Sequence, residues 1–140
     1  MKRTLALILT IAIMCGLSTS ALALERSVNN QNEAGLYYLY TNNVSSTISI
    51  SSKTATCRST VVGQSGVTTK IVITQRLQKK VDGSWTNVKS WTNTYNQTSA
   101  VFINTKASLA SGTYRTRTIA KVYKGTAYET IYANSVTTTC

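Results

Sequence analysis

The clearest sign of the fold of this 140-residue chain lies at residues 109–123, Leu-Ala-Ser-Gly-Thr-Tyr-Arg-Thr-Arg-Thr-Ile-Ala-Lys-Val-Tyr. After a tight corner, the side chains of this stretch alternate with the period of two that is typical of a β-strand. One set is small, apolar or hydroxylic and suits a sandwich interior. The other carries three cations and must face water or an anionic partner. The inward set is Tyr114, Thr116, Thr118, Ala120 and Val122, and the outward set is Arg115, Arg117, Ile119, Lys121 and Tyr123.

The corner itself points to one architecture. Leu109 and Gly112 lead into Tyr114 in the manner of the tyrosine corner of immunoglobulin-like sandwiches. In that corner the phenol hydroxyl bonds back to the backbone upstream. We therefore expect the Tyr114 hydroxyl to bond to the main chain a few residues earlier.

From Val44 the chain shows strand patterns and no helical periodicity. Asp82-Gly83, between two strand patterns, is a strong hairpin signal because both central residues of such a turn need positive φ. Seven or eight strands rich in Thr, Val, Ile and Tyr predict an all-β, antiparallel, immunoglobulin/fibronectin-like β-sandwich. A small closed barrel is the alternative. The expected inner face of the third core strand is Ile71, Ile73, Gln75 and Leu77.

The N-terminal segment has the pattern of an export signal. Lys2 and Arg3 precede an apolar run, and Ala21-Leu22-Ala23 fits a small-x-small cleavage site. We therefore predict a signal peptide over residues 1–23, a flexible leader over 24–43 and a β-sandwich domain over 44–140, in a secreted or cell-surface protein. Loss of Lys2 and Arg3 leaves 13 cations against four acids, a net charge of +9. Such an excess favours anionic partners by long-range attraction.

Four sets of residues in the core strands carry a family resemblance. They are Ile48-Ser-Ile-Ser-Ser-Lys-Thr-Ala-Thr-Cys57, Gly63-Gln-Ser-Gly-Val-Thr68, Leu77-Gln-Lys-Lys80 before Trp85-Thr-Asn-Val-Lys-Ser-Trp91, and Gly112-Thr-Tyr-Arg115 before Ala120-Lys-Val-Tyr123. Over roughly Val44 to the C-terminus, the chain is similar to small exported proteins of Gram-positive bacteria that are grouped as a domain of unknown function. This resemblance implies a secreted, immunoglobulin- or fibronectin-like sandwich and carries no activity or site residue.

The supply of chemical groups argues against an enzyme. The chain has no histidine, which removes the commonest general base and the Ser-His and Cys-His arrangements. The four acids Glu25, Glu33, Asp82 and Glu129 are scattered, which is unlike a glycosidase pair. No phosphate-binding loop or calcium pattern is present in the sequence, and a zinc site lacks ligands. We expect no catalysis, no metal and no cofactor.

The positive signal is a basic face. In a sandwich of this type the strand 114–123 pairs with the strand 70–80, so their outward cations share one surface. Arginine binds phosphate or carboxylate bidentately, and lysine binds as a point charge. Solubility and edge protection are the alternative roles of such cations, although mixed charge would serve solubility better. The candidate residues are Lys70, Arg76, Lys80, Arg115, Arg117 and Lys121.

Two tryptophans and two cysteines complete the candidate residues. Trp85 and Trp91 lie on the same face of one strand if no bulge intervenes. Either at least one of them is a core aromatic, or they form a sugar- or lipid-stacking platform beside the basic face. Cys57 points inward and Cys140 follows the last strand. In an exported protein an even pair of cysteines favours a disulfide. A dimer linked through Cys140 is the alternative.

Together these features predict a secreted, non-catalytic binding module for anionic polymers of the cell envelope or matrix, such as teichoic acid, acidic polysaccharide or extracellular DNA. Two alternatives belong to other classes. One is a secreted antagonistic factor that acts on membranes, motivated by the positive charge and the aromatic stretch 36–40. The other is a self-assembling matrix subunit in which the leader adds a strand to a neighbour.

Overall fold

A computed structural model describes residues 23–27 and 38–140. The signal sequence up to residue 22 and leader residues 28–37 lie outside the described residues, so the division into signal, leader and domain stays a prediction. Nine strands form in the described part. They are β1 (Ala23–Ser27), β2 (Thr41–Ser51), β3 (Thr54–Gly63), β4 (Lys70–Val81), β5 (Ser84–Tyr95), β6 (Ser99–Lys106), β7 (Thr113–Lys124), β8 (Ala127–Asn134) and β9 (Thr138–Thr139).

The strands form two sheets, which we call the large sheet and the small sheet. The large sheet has the order β1-β8-β7-β4-β5, with β9 paired to the start of β7; the small sheet has the order β2-β3-β6. Apart from the parallel pairing of β1 with β8, all pairings are antiparallel. This arrangement confirms the predicted immunoglobulin/fibronectin-like β-sandwich, with two open sheets where the alternative was a closed barrel.

The alternating burial along β4 and β7 follows the predicted faces. Ile71, Ile73, Gln75 and Leu77 are fully buried, as are Thr116 and Thr118. The sandwich interior has two apolar clusters. The first is built around Val61, Ile71, Ile73, Val122 and Ile131; the second contains Ala55, Cys57, Leu77, Leu109 and Tyr114.

A belt of buried polar groups separates the two clusters along the strands. The Gln75 amide donates to the Ser59 hydroxyl at 2.8 Å, and Ser59 shares a 2.6 Å hydrogen bond with Thr118. Thr118 in turn donates to Ser46 at 3.0 Å, and the Asn104 side-chain amide donates to the side-chain carbonyl of Gln75 at 3.0 Å. Buried polar groups are tolerated when they are bonded to one another. The belt therefore joins the two sheets without leaving these groups unsatisfied.

The tyrosine corner has the predicted geometry. The Tyr114 hydroxyl donates to the Ala110 carbonyl at 2.6 Å, and the Tyr114 side chain is 1% exposed. Gly112 has a φ of 151°, a backbone conformation that glycine adopts easily and that other residues avoid. The glycine before the tyrosine is therefore required by the turn.

A buried carboxylate holds the segment that enters β2. Glu129 is 2% exposed and accepts hydrogen bonds from the backbone amides of Leu39 and Tyr40, both at 2.9 Å, and from the Thr41 hydroxyl at 2.7 Å. Tyr38 and Tyr40 pack against the first apolar cluster. Because of these contacts, the strand begins at Thr41, three residues before Val44.

Candidate anion-binding face

The predicted pairing of the two cationic strands is confirmed. β4 and β7 are antiparallel neighbours, with Arg76 opposite Arg117, Gln78 opposite Arg115 and Val72 opposite Lys121. The outward side chains of both strands consequently share one surface of the large sheet. We call this surface the basic face. Its cations are Lys70, Arg76, Lys80, Arg115, Arg117 and Lys121.

Five of these six cations lie along the sheet surface, because their side chains are half-buried and only Lys80 is exposed. Aromatic rings explain most of that burial. The Lys70 ammonium lies 3.9 Å from the ring centre of Tyr123, and the Arg115 guanidinium lies 4.2 Å from that of Trp85. Two more rings come from β8: Arg117 lies 5.0 Å from Tyr132, and Lys121 lies 5.1 Å from Tyr128.

These cation–π contacts fix where the charges sit. A cation within about 6 Å of a ring centre is attracted by the electron-rich ring face, by about 0.5–1 kcal/mol at exposed sites. Tyr128 and Tyr132 were not among the residues predicted from the sequence. They lie four residues apart and therefore share one face of β8, but this spacing became informative only once β8 was known to lie beside β7.

Arg115 is the most constrained of these cations. Its Nε donates to the Gln78 side-chain carbonyl at 2.9 Å, and the Gln78 amide donates to Asn87 at 2.8 Å. Gln78 is 5% exposed, so the acceptor is itself held in place. Burial lowers the pKa of the Arg115 guanidinium, and the positive charge of Arg117 lowers it further. An arginine nevertheless stays protonated at neutral pH.

No carboxylate of residues 38–140 lies on the basic face. Asp82 lies in the turn between β4 and β5 with a φ of 48°, and Glu129 is buried against the segment before β2. Arg76 and Arg117 face each other as like charges, an arrangement that destabilises a sheet. The Nε of Arg117 is buried and has no hydrogen-bond partner among the described residues. Within residues 38–140 the face therefore carries no carboxylate to balance its cations; on β1, Glu25 lies opposite Thr130, the β8 neighbour of Lys121.

A β-bulge separates the two tryptophans. The pairing of β4 with β5 shifts register between Leu77 and Gln78, so that Trp85 lies opposite Lys80 whereas Trp91 lies opposite Gln75. Trp85 is therefore on the basic face, while Trp91 points inward and packs on the second apolar cluster. The expectation of a shared face required the absence of a bulge, and the two residues do not form one platform.

Both cysteines contact the second apolar cluster, and both are free thiols in the structure. Cys57 is fully buried on the small sheet, and burial raises the pKa of its thiol. Cys140 is held by β-type bonds to Gly112, with its amide donating at 2.9 Å and its carbonyl accepting at 3.2 Å. The cysteines thus come from opposite sheets into one cluster, and the disulfide stays a prediction.

The described residues contain no group of three or more His, Cys, Asp or Glu side chains that could hold a metal ion. Within the same part of the chain, no helix is long and apolar enough to cross a membrane. The fold and the face together define a class: an immunoglobulin/fibronectin-like β-sandwich module with one cationic, aromatic sheet surface.

Comparison with known proteins adds little beyond this class. No protein-family model and no curated protein matches the chain. Among solved structures, the chain is similar to the CARDB domain of a Pyrococcus furiosus protein in complex with di-metal ions. The identity is 15% and the TM-score 0.38, over 74% of this chain and 95% of that one. No functional argument follows from so distant a likeness, and the resemblance to exported proteins of Gram-positive bacteria stays a prediction.

Proposed function

We propose that this protein is a secreted, non-catalytic module that binds anionic polymers of the cell envelope or matrix through the basic face. The observation that carries the proposal is the placement of six cations on adjacent strands of one sheet surface, without a carboxylate from residues 38–140 among them. A surface that served solubility alone would mix both signs of charge.

The physical basis of binding is electrostatic attraction by cations whose positions are largely set before the ligand binds. Four of the six cations lie against aromatic rings, so less side-chain freedom is lost when an anion binds. Neutralising the charges of a polymer releases its counterions, and affinity therefore falls steeply with salt concentration.

The test compares two triple variants that lose the same number of charges. Arg115→Gln/Arg117→Gln/Lys121→Gln removes the cations of β7 from the basic face. The control Lys53→Gln/Arg58→Gln/Lys106→Gln removes cations that lie elsewhere on the sandwich. We expect the first variant to bind isolated cell walls, or a soluble anionic polymer, at least about tenfold more weakly than the control at about 50 mM salt.

Equal binding by the parent and the β7 variant would refute the proposal, provided that thermal unfolding shows both to be folded. Two further measurements address the alternatives. Dye leakage from anionic vesicles at micromolar protein would support the membrane-acting factor, and concentration-dependent association in sedimentation would support the self-assembling subunit.

A further inference from the structure

We infer that the basic face recognises the backbone of a phosphodiester polymer, with Arg115 as its anchor. This inference rests on the proposed function and specifies the chemical class of the ligand. The order of cations along the two paired strands supports this ligand class. Outward positions recur every two residues, and each position on β7 has a partner on β4. We call each outward position along the paired strands a step. From one end of the sheet to the other, the successive steps carry these cations: Lys80; Arg115; Arg76 with Arg117; none, at Thr74 with Ile119; Lys121; and Lys70.

The length of one step matches a chemical repeat. Two residues of a strand span about 6.6 Å, which corresponds to six backbone bonds. Successive phosphorus atoms are also six bonds apart wherever three carbons separate two phosphate oxygens, as in a nucleic acid strand or a poly(glycerol phosphate). An extended phosphodiester chain that runs along β7 would meet a cation at nearly every phosphate. Polysaccharides with one acid on every second sugar ring have a longer repeat.

Arg115 is the anchor because its geometry is set before any ligand arrives. The Trp85 ring covers one side of the guanidinium, and Gln78 accepts from its Nε. Among the described residues its terminal nitrogens have no hydrogen-bond partner, so they can make the two parallel hydrogen bonds that a guanidinium forms with a phosphate edge. Trp85 and Gln78 are positioning residues in this arrangement, and Asn87 fixes Gln78 through its amide.

The rings of this face are already used by its own cations. Tyr123, Tyr128, Tyr132 and Trp85 each lie against a lysine or an arginine. Their role is to hold charges in place, so recognition should depend on the polymer backbone and little on bases that could stack.

The experiment uses three labelled probes, each with about a dozen charges, at one ionic strength. They are oligothymidylate, an oligomer of 1,3-propanediol phosphate, and oligoglutamate. The second keeps the six-bond phosphate repeat without sugar or base, and the third keeps the charge without phosphate. We expect the first two to bind within about threefold of each other and the third to bind at least about tenfold more weakly.

Arg115→Lys supplies the residue-level test. The substitution keeps the positive charge but removes the bidentate hydrogen bonding of the guanidinium. Affinity for the propanediol phosphate oligomer should therefore fall about fivefold, while its salt dependence stays unchanged. Arg58→Lys, on the outer face of the small sheet, is the matched control and should change neither quantity.

The outcomes separate the inference from the proposed function. Oligoglutamate binding as tightly as the phosphodiesters would overturn the inference and leave an anion-binding module. Strong binding of oligothymidylate without the propanediol oligomer would show that bases are read, which also overturns it. Binding of none of the probes, together with no binding to cell walls, would overturn both.

Discussion

The two outer faces of the sandwich are made in the same way and differ in nearly every property. Both arise from the two-residue alternation of strands whose other side is buried. The outer face of the small sheet carries mostly hydroxyl-bearing side chains. Among the outward residues of its paired strands β2, β3 and β6, Arg58 is the single charged one. The basic face holds six cations on two strands of the large sheet.

The contrast is in local charge: six cations share one surface of the large sheet, whereas the outer face of the small sheet carries Arg58. Arg58 is exposed, and its neighbour across the strands is Ile103 on β6, which is 51% exposed. On the basic face, by contrast, cations are half-buried against rings and one another. Placing half-buried cations beside one another lowers the stability of the folded protein. Proteins commonly accept such a loss of stability at a functional site.

The largest expected effect concerns the link between the two sheets. We predict that Cys57 and Cys140 form one intramolecular disulfide in the exported protein, which would close an 84-residue loop. Chain entropy gives a stabilisation of up to about 4.5 kcal/mol for a loop of that length. Intact mass under non-reducing conditions should show a monomer two hydrogens lighter than the reduced chain. A mass of twice the chain, or free alkylation of Cys57, would contradict the bridge.

Substitution of each tryptophan tests the two sides of β5 separately. Trp91, on the inner side, should contribute to stability, and Trp85, on the outer side, should contribute to polymer binding. Trp91→Ala should lower the free energy of unfolding by about 2 kcal/mol, less than a fully buried tryptophan would cost because Trp91 is half-buried. Trp85→Ala should cost little stability but weaken polymer binding several-fold, since Arg115 loses its ring. Urea denaturation and binding titration on both variants decide. The reverse assignment of effects would disprove the described register.

Moving three positive charges from the basic face to the small sheet tests whether binding depends on the position of the charges or only on the net charge of the protein. Into the Arg115→Gln/Arg117→Gln/Lys121→Gln background we would add Thr47→Lys, Thr56→Lys and Thr60→Lys, on the outer face of the small sheet. The net charge returns to that of the parent, but the rings and the β4 cations are missing there. We expect polymer affinity to stay about tenfold below the parent. Full recovery would show that the difference between the faces is irrelevant to binding.

The smallest effect measures the like-charge cost directly. Arg76 lies opposite Arg117, so Arg76→Gln should raise the free energy of unfolding by about 0.5 kcal/mol at low ionic strength. The gain should vanish at about 1 M salt, where charges are screened within about 3 Å. Arg58→Gln is the control and should give no comparable gain. Destabilisation by Arg76→Gln at low salt would mean that this contact is favourable.

Local alternation of side chains was enough to predict part of this fold. The inward and outward sets of residues 114–123, the Tyr114 corner and the hairpin at Asp82-Gly83 all follow from strand period and turn chemistry, and all are present in the structure. The pairing of β4 with β7 also followed, because the order of strands in this class of sandwich is regular.

Contacts between residues on different strands became known from the folded protein alone. The bulge near Gln78 turned Trp91 inward, and a single extra residue of this kind leaves no reliable trace in a period-two pattern. Tyr128 and Tyr132 became partners of cations because β8 lies beside β7. Glu129 holds the entrance to β2 across 88 residues of chain. Such contacts follow from packing between distant segments, and local alternation carries no information about them.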